Sequence, residues 1–336
     1  MRNRARYTRV VVQSIRMRGN RVEEHWSQWQ REQESDKRLG THRGYVDWAD
    51  HPTVWNLVSK EAFGTSGQRS VIGDFADFLA CLMSPFERPN ALSLCCGNGD
   101  FERQLVRSRV LETVDGVDLA SARVRAAQEQ LANEVAIQER CRFCVADVNR
   151  LSLRPRTYDL VIAKSALHHV ESLERLFEEI YWGLKTEGCI VAMDFFGPSR
   201  FQWSDLQLEL AHRLWTECVP FEIRQRAKAD GLAYLERPSL DAMMRLDPSE
   251  AVRSSEILAV GLELFTLEQE IPLGGTLMNL MLWGDRVNYF DPGAEPHNEC
   301  LQQAFLQERQ WILEGLIESD FRLIVLKPKK RTRSYA

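Results

Sequence analysis

The sequence predicts an α/β fold in which helices cover both faces of a doubly wound sheet. The first observation is a series of short apolar segments with the length of buried strands: residues 91–96, 113–119, 141–148, 158–163 and 189–193. The second is the helical pattern between them, clearest where five apolar residues share one face: Leu173, Leu176, Phe177, Ile180 and Leu184. Strands that alternate with helices indicate a parallel sheet with crossover helices.

A tight turn follows the first of these strands and leads into a helix. Gly97 and Gly99 let the backbone turn sharply and leave room for a ligand beside main-chain N–H groups, which favours a nucleoside cofactor. A dinucleotide site needs a third small residue where Glu102 stands, and a carboxylate there would repel a pyrophosphate. S-adenosylmethionine carries a sulfonium and an ammonium but no phosphate. It is therefore the predicted cofactor.

The next two strand candidates each end in an acid. Asp118 lies about 20 residues beyond the glycine turn, where such folds hold the ribose hydroxyls. Asp147 ends the third candidate and could accept a hydrogen bond from the exocyclic amine of adenine. We therefore expect three strand ends to converge on one ligand.

Four linked motifs carry a family resemblance: LSLCCGNGD, DGVDLA, CVADV, and YDLVIAKSALHHV followed by LKTEGCIVAMDFF. Together they resemble the class I S-adenosylmethionine-dependent methyltransferases. The resemblance implies an enzyme with a Rossmann-like sheet of seven strands, and apolar patterns predict the last two at residues 263–269 and 321–326. It also implies that nine residues bind the cofactor: Ser93, Cys95, Gly97, Gly99, Asp118, Leu119, Asp147, Val148 and Lys164.

Two of these positions depart from the family pattern. The family usually has an acid where Ser93 stands, so one contact to the methionine moiety is altered. It usually has a glycine where Cys95 stands. Cysteine is small enough to fit there, but it adopts positive φ less freely than glycine.

Composition narrows the class of protein. The 336 residues carry a formal net charge of -5, which argues against a general nucleic-acid-binding surface. No apolar run reaches the ~18 residues expected of a membrane span. The eight cysteines are not spaced as a disulfide framework, which is typical of a reduced, cytoplasmic enzyme. Cys141 and Cys144 should face opposite sides of a strand, and no metal site is predicted.

The chain divides into four predicted parts: residues 1–85 form an N-terminal extension and helical lid, 86–199 the cofactor-binding core, 200–260 a helical acceptor-binding insertion after the fifth strand, and 261–336 the strands that complete the sheet with a basic tail. The resemblance implies that the lid covers the cofactor, with Trp48, His51 and Trp55 as pocket candidates and a hinge at residues 63–67. The alternative is that these side chains only pack the lid onto the domain.

Both ends of the chain are basic. The first 22 residues hold seven arginines and no acid, which is compatible with a targeting peptide, a membrane-surface helix, a nucleic-acid arm or a flexible extension. The run at residues 327–333 is interpreted as a solvated tail.

The insertion begins with a capping-box pattern, because Ser204 is followed three residues later by Gln207. An insertion at this place lies above the carboxyl ends of the strands, where open α/β sheets bind ligands. The alternative is a structural cap that does not contact the acceptor.

The predicted function is methyl transfer from S-adenosylmethionine to a small-molecule acceptor, with a histidine that assists O- or C-methylation. His168 and His169 follow the fourth strand and titrate in the right range for a general base. In an extended segment only one would face the acceptor, and His169 is ranked ahead. The alternative is that both only pack or orient the cofactor. A catalytically silent methyltransferase-like binding protein, a nucleic-acid methyltransferase and a homodimeric assembly stay open.

Overall fold

A single seven-stranded sheet organises the fold. The computed structural model describes Val22, Gln28 and residues 47–65, 70–232 and 234–330. Its strands are β1 (Asn90–Leu94), β2 (Thr113–Asp118), β3 (Cys141–Val145), β4 (Tyr158–Lys164), β5 (Leu184–Phe195), β6 (Phe265–Gly274) and β7 (Phe321–Pro328). The strand order is β3-β2-β1-β4-β5-β7-β6. Strands β1 to β5 pair in parallel, whereas β7 lies antiparallel between β5 and β6. The predicted fold class is confirmed.

Helices flank both faces of this sheet. In the described part of the chain they are α1 (Pro52–Phe63), α2 (Val71–Met83), α3 (Asp100–Arg107), α4 (Ser121–Ala132), α5 (Leu173–Gly183), α6 (Asp205–Glu217), α7 (Phe221–Ala229), α8 (Leu240–Leu246), α9 (Ile257–Leu264), α10 (Leu277–Leu282) and α11 (Glu295–Leu313). The capping box predicted for α6 is present, because Ser204 Oγ accepts from the Gln207 N–H and Gln207 accepts from the Ser204 N–H.

The central strands are buried on both faces, as a parallel sheet between helices requires. In β4, Leu160 and Ile162 face one apolar cluster. Val161 and Ala163 alternate with them and face the other cluster, beside helix α5. Each of these four side chains is fully buried, which explains why the segment is continuously apolar.

The strand order reverses between β1 and β4. The chain moves outward from β1 through β2 to β3 and then crosses back to β4 on the other side of β1. A crevice forms where neighbouring loops diverge at such a switch point, and open α/β sheets bind ligands there. The glycine turn and the histidine pair follow the two strands that border this crevice.

Several boundaries differ from the predictions. Strand β6 begins at Phe265 because α9 continues through Leu264. Strand β5 begins at Leu184, five residues before the predicted segment. Helix α11 stops at Leu313, and Gly315 two residues later adopts a left-handed conformation with φ of +72°.

The N-terminal helices are part of the core, which corrects two predicted pocket residues. Trp55 is buried and its indole N–H donates to Asp74 at 2.9 Å. His51 is fully buried and lies 2.9 Å from the Phe290 carbonyl. Neither side chain lines the cavity described below, whereas Trp48 does. Aromatic residues of an amphipathic segment thus pack inward here.

The described part of the predicted hinge is also held by hydrogen bonds. Thr65 and Ser59 both donate hydrogen bonds to the Asp74 carboxylate, so helices α1 and α2 share one buried acceptor. Residues 66–69 of that hinge lie outside the described residues, as do the arginine-rich start apart from Val22 and the last six residues.

The cysteine and membrane predictions concern the whole chain. All eight cysteines are free. Cys141 is buried while Cys144 is half-buried, consistent with opposite sides of β3. Within the described ranges, none of the helices combines the length and apolar character that a membrane span requires.

Candidate functional site

A cavity of about 1960 Å³ opens at the carboxyl ends of β1, β2, β3 and β4. Eight of the nine predicted cofactor residues line it: Ser93, Cys95, Gly97, Asp118, Leu119, Asp147, Val148 and Lys164. Both candidate histidines line it as well. The three strand ends that the sequence predicted to converge therefore share one cavity.

Gly99 is the exception among the predicted residues. It does not line the cavity, and a Cβ atom at this position would lie 2.5 Å from the Phe143 ring of β3. Its φ of +70° places it in the left-handed region directly before α3. Gly99 is thus required for the turn and for close packing of the turn against β3.

The turn carries a cysteine in a conformation that favours glycine. Cys95 has a φ of +50°, which costs about 1–2 kcal/mol for a residue with a side chain. Burial raises the pKa of its thiol far above the usual range, so this sulfur is not a reactive thiolate. The chain thus tolerates strain at a position where the family usually has glycine.

Asp118 fixes the turn from the end of β2. Its two carboxylate oxygens accept the N–H groups of Gly97 and Ala120, both at 2.8 Å. Arg123 at the start of α4 also lines the cavity, and the sequence analysis missed it. Burial lowers the pKa of Arg123, while the Asp118 charge opposes that effect.

Asp147 lies just after β3 and also lines the cavity. Its carboxylate accepts from the Asn149 main-chain N–H at 2.9 Å and from the Asn149 amide at 3.1 Å. The Asn149 side-chain oxygen in turn accepts the N–H groups of Glu171 and Ser172, both at 2.9 Å. This network ties the loop after β3 to the start of α5.

A buried pair joins β1 to α3 beside the glycine turn. The Ser93 hydroxyl donates to Glu102 Oε1 at 2.6 Å, and both residues line the cavity. Burial raises the pKa of the Glu102 carboxyl to about 7. The sequence indicated an acid at the start of α3. It did not indicate that the side chain of this acid reaches Ser93, the position in β1 that differs from the family pattern.

The histidine pair lies on a 3-10 turn, Leu167–His169, and not on an extended segment. The two imidazole rings are 4.1 Å apart between centroids, and both face the cavity. The segment is therefore not extended, so the condition under which the two side chains would face opposite ways is not met.

His168 is held by carboxylates on two sides. Its Nδ1 forms a short hydrogen bond with Asp194 Oδ1 at the end of β5. The other Asp194 oxygen accepts the N–H groups of Ala166 and Leu167 at 2.8 and 2.7 Å. On the other side of the ring, His168 Nε2 lies 3.5 Å from Oε1 of Glu250, a residue of the insertion.

These charges decide the protonation of His168. Burial lowers the pKa of the imidazole, but the negative charges of Asp194 and Glu250 outweigh burial and raise the pKa to about 9. Burial raises the pKa of Glu250, while His168 opposes that effect. At neutral pH without ligand, His168 is therefore a cation between two acids.

His169 makes a separate set of contacts with the insertion. Its Nδ1 lies 3.2 Å from the Ser249 hydroxyl and 4.0 Å from Asp247 Oδ2. The Val252 N–H donates to the His168 carbonyl at 3.0 Å. The loop from Asp247 to Val252 therefore rests directly on the histidine turn.

Donor atoms of His168, His169 and Glu250 lie within 4.8 Å of one another, a spacing that could hold a metal ion. The sequence did not reveal this cluster, because Glu250 is distant along the chain. An imidazole must be unprotonated to bind a metal. A metal ion would therefore have to displace the proton that the neighbouring carboxylates stabilise on His168.

An aromatic wall closes the far side of the cavity. Phe201 and Trp283 meet edge to face with their ring centroids 4.6 Å apart. The Tyr289 hydroxyl donates to Asp230 at 2.6 Å, and the Arg226 guanidinium lies 4.8 Å from the Tyr289 ring centroid. These residues come from the insertion and from the segment after α10, so residues beyond the predicted insertion also shape the cavity.

Comparison with known proteins identifies the domain that builds this cavity. Residues 91–188 match the methyltransferase domain. The match shows a methyltransferase domain over this segment of the chain. The matched residues run from β1 into β5 and include the glycine turn, both acids and the histidine pair, so the predicted resemblance is confirmed at the level of this domain.

Two relatives each match about a third of the chain. Demethylmenaquinone methyltransferase of Bacteroides fragilis is 24% identical over 119 residues, which cover 35% of this chain and 48% of that protein. Arginine-hydroxylase NDUFAF5, mitochondrial, of Homo sapiens is 27% identical over 118 residues, which cover 35% of this chain and 32% of that protein. The chain thus spans about half the length of the first relative and a third of the second.

One solved structure is similar over nearly the whole chain. Geranyl diphosphate C-methyltransferase from Streptomyces coelicolor A3(2) superposes with a TM-score of 0.51 at 12% identity and covers 93% of this chain and 99% of that chain. At this identity the likeness concerns the fold. It extends the agreement beyond the methyltransferase domain to the insertion and the antiparallel end of the sheet.

Proposed function

We propose that the chain transfers the methyl group of S-adenosylmethionine to a small-molecule acceptor. The observation that carries the proposal is the shared cavity, in which the glycine turn and its acids face the same space as the His168 imidazole. A nucleoside site alone would support binding. A carboxylate-bound histidine in the same cavity supports a reaction.

The nucleoside occupies the side formed by β1, β2 and β3. Asp118 accepts from the ribose hydroxyls and Asp147 from the adenine amine, since each carboxylate oxygen has lone pairs beyond those its main-chain donors use. Leu119 and Val148 flank the base as apolar neighbours. In this orientation the sulfonium methyl group points toward β4 and the histidine turn.

The acceptor occupies the side formed by the insertion and the aromatic wall. The carboxylates of Glu250, Asp230 and Asp285 line that side together with the guanidinium groups of Arg200 and Arg226. The aromatic wall supplies apolar surface beside these charges. These features support a small molecule that has both an apolar portion and polar groups.

His168 is the better candidate for the general base, although the sequence analysis ranked His169 ahead. Asp194 orients the ring through Nδ1 and leaves Nε2 directed into the cavity, the arrangement by which a third group orients a catalytic base. The transfer itself is an in-line displacement. The carbon–sulfur bond breaks with its electron pair left on sulfur, the methyl group bonds to acceptor oxygen or carbon, and the acceptor proton moves to His168 Nε2.

Eight free cysteines support a reducing compartment such as the cytoplasm.

A catalytically silent binding protein is the second candidate, because Ser93 and Cys95 both depart from the family pattern. It differs from the enzyme in a single observable, since it would bind the cofactor without consuming it.

The test is transfer of a deuterated methyl group from labelled S-adenosylmethionine to pools of phenols, enolisable ketones and amines, followed by mass spectrometry. We expect a labelled acceptor in the phenol or ketone pool and one equivalent of S-adenosylhomocysteine for each methyl group. The chain without acceptor provides the background rate. Cofactor binding without a labelled product in any pool would favour the silent binding protein.

A further inference from the structure

Glu102 has a carboxylate oxygen whose bonding is incomplete. The residue lies in the first turn of α3, is 3% exposed and lines the cavity. Oε1 accepts the Ser93 hydroxyl, but Oε2 is buried and has no hydrogen-bond partner among the described residues. A buried carboxylate in this state is costly, since Oε2 has lost water without gaining a hydrogen-bond donor.

The cations nearest to Glu102 do not complete this bonding. Arg103 is adjacent in sequence, but its guanidinium is committed to four other acceptors: the Asn98 carbonyl, Asp100, Gln130 and Glu134. Lys164, at the end of β4, lines the same cavity and acts on the Glu102 charge through space. The cavity thus presents an acid and a base to one ligand, which is the charge pattern that an α-amino acid group complements.

We infer that Glu102 binds the ammonium of the methionine moiety of S-adenosylmethionine, in place of the acid that the family carries at the position of Ser93. The inference rests on the proposed function. Ser93 in β1 and Glu102 in α3 meet at 2.6 Å, so a carboxylate from the helix reaches the place that a carboxylate from the strand would fill. Lys164 is then available to the methionine carboxylate.

The protonation of Glu102 agrees with this role. Burial raises the pKa of its carboxyl to about 7, so the site without ligand is divided between the neutral and charged forms near neutral pH. An ammonium within hydrogen-bond distance stabilises the charged form. Ser93 supplies the second hydrogen bond that holds the carboxylate in position.

The experiment compares two ligands that differ only in the amino acid group. S-adenosylhomocysteine carries the ammonium and carboxylate, whereas 5′-methylthioadenosine retains the adenosine and the thioether but lacks both. Each is titrated calorimetrically into four forms of the full chain: wild type, Glu102→Gln, the double variant Ser93→Asp with Glu102→Gln, and the control Glu129→Gln. Glu129 is an exposed carboxylate of α4 that does not line the cavity, so its variant matches the change in charge away from the site.

We expect Glu102→Gln to weaken the binding of S-adenosylhomocysteine about 10- to 100-fold, which is the scale of a hydrogen bond to a charged group. The affinity for 5′-methylthioadenosine should change less than about twofold. The double variant should recover most of the loss, because it returns an acid to the strand. The Glu129→Gln variant should bind both ligands as wild type does.

Three results would overturn the inference. If Glu102→Gln binds S-adenosylhomocysteine as tightly as wild type, Glu102 does not hold the ammonium, while the proposed function stands. If Glu102→Gln weakens both ligands equally, the residue supports the fold of the turn and not the ammonium. If wild type binds neither ligand, the proposed function fails and the inference fails with it.

Discussion

A hydrogen bond between His168 Nδ1 and Asp194 Oδ1 joins the turn after β4 to the end of β5. The same carboxylate accepts two main-chain N–H groups from the residues immediately before His168. Asp194 therefore fixes both the ring and the turn that carries it. The other ring nitrogen, Nε2, lies 3.5 Å from Glu250 Oε1 on the cavity side.

Replacement of His168 by alanine should slow methyl transfer about 10²–10⁴-fold, the usual contribution of a general base, if the acceptor must lose a proton. Affinity for S-adenosylhomocysteine should stay within a few-fold, since the nucleoside contacts lie on other strands. Single-turnover rates measure the first quantity and calorimetry the second. His169→Ala is the matched control and should cost far less. A larger loss in His169→Ala would assign the base to His169, as the sequence analysis ranked it.

The pH dependence of the rate follows from the raised pKa of His168. The unprotonated ring accepts the proton, so the active fraction grows as pH rises toward the pKa of about 9 and falls about tenfold for each pH unit below it. We expect the rate of the chemical step to rise from pH 6 and level off near pH 9. Asp194→Asn removes a negative charge that raises this pKa, so it should move the midpoint to lower pH. A flat profile in wild type would exclude His168 as the base.

Asp118→Ala should reduce the binding free energy of S-adenosylhomocysteine by about 1.5–3 kcal/mol, because hydrogen bonds to a charged carboxylate are on that scale. Asp118 also holds the Gly97 N–H, so thermal unfolding must be measured in parallel. Asp118→Asn keeps an acceptor oxygen and should lose less. Equal affinity in a folded Asp118→Ala variant would mean that the ribose lies elsewhere.

Gly99→Ala should destabilise the fold more than a glycine substitution at a similar φ in open space. Both Gly99 and Gly231 adopt positive φ, +70° and +75°, so alanine at either costs about 1–2 kcal/mol in backbone strain. At Gly99 the added Cβ also meets the Phe143 ring at 2.5 Å, and such overpacking costs about 1–3 kcal/mol more. Chemical denaturation of both variants gives the difference. Similar unfolding free energies would show that the Phe143 ring moves aside freely.

Much of the fold follows from local patterns in the sequence. The apolar run of β4 and the apolar face of α5 each lie within one short segment of the sequence. Both are buried as predicted, so local patterns were sufficient to predict these two elements. The end of α11 was not predictable in the same way, because Gly315 could lie in a helix or end it. The antiparallel position of β7 between β5 and β6 depends on pairing between distant segments.

The residues of the candidate site also differ in whether local sequence patterns could predict their positions. Gly97, Asp118 and Asp147 follow strand ends in order, so their convergence could be read from the sequence. The partners of the histidines could not, because Asp194 is 26 residues and Glu250 82 residues from His168, in segments that meet it only in the folded chain. His51 and Trp55 were expected near the cavity and instead pack inward, where Phe290 and Asp74 supply their partners.

The most direct test of this account is a crystal structure of the chain with S-adenosylhomocysteine. We expect the ribose hydroxyls on Asp118, the adenine amine near Asp147, the ammonium on Glu102 and the sulfur facing the His168 and His169 turn across a space large enough for an acceptor. A ligand bound outside this cavity, or a sulfur directed away from the histidine turn, would contradict the account.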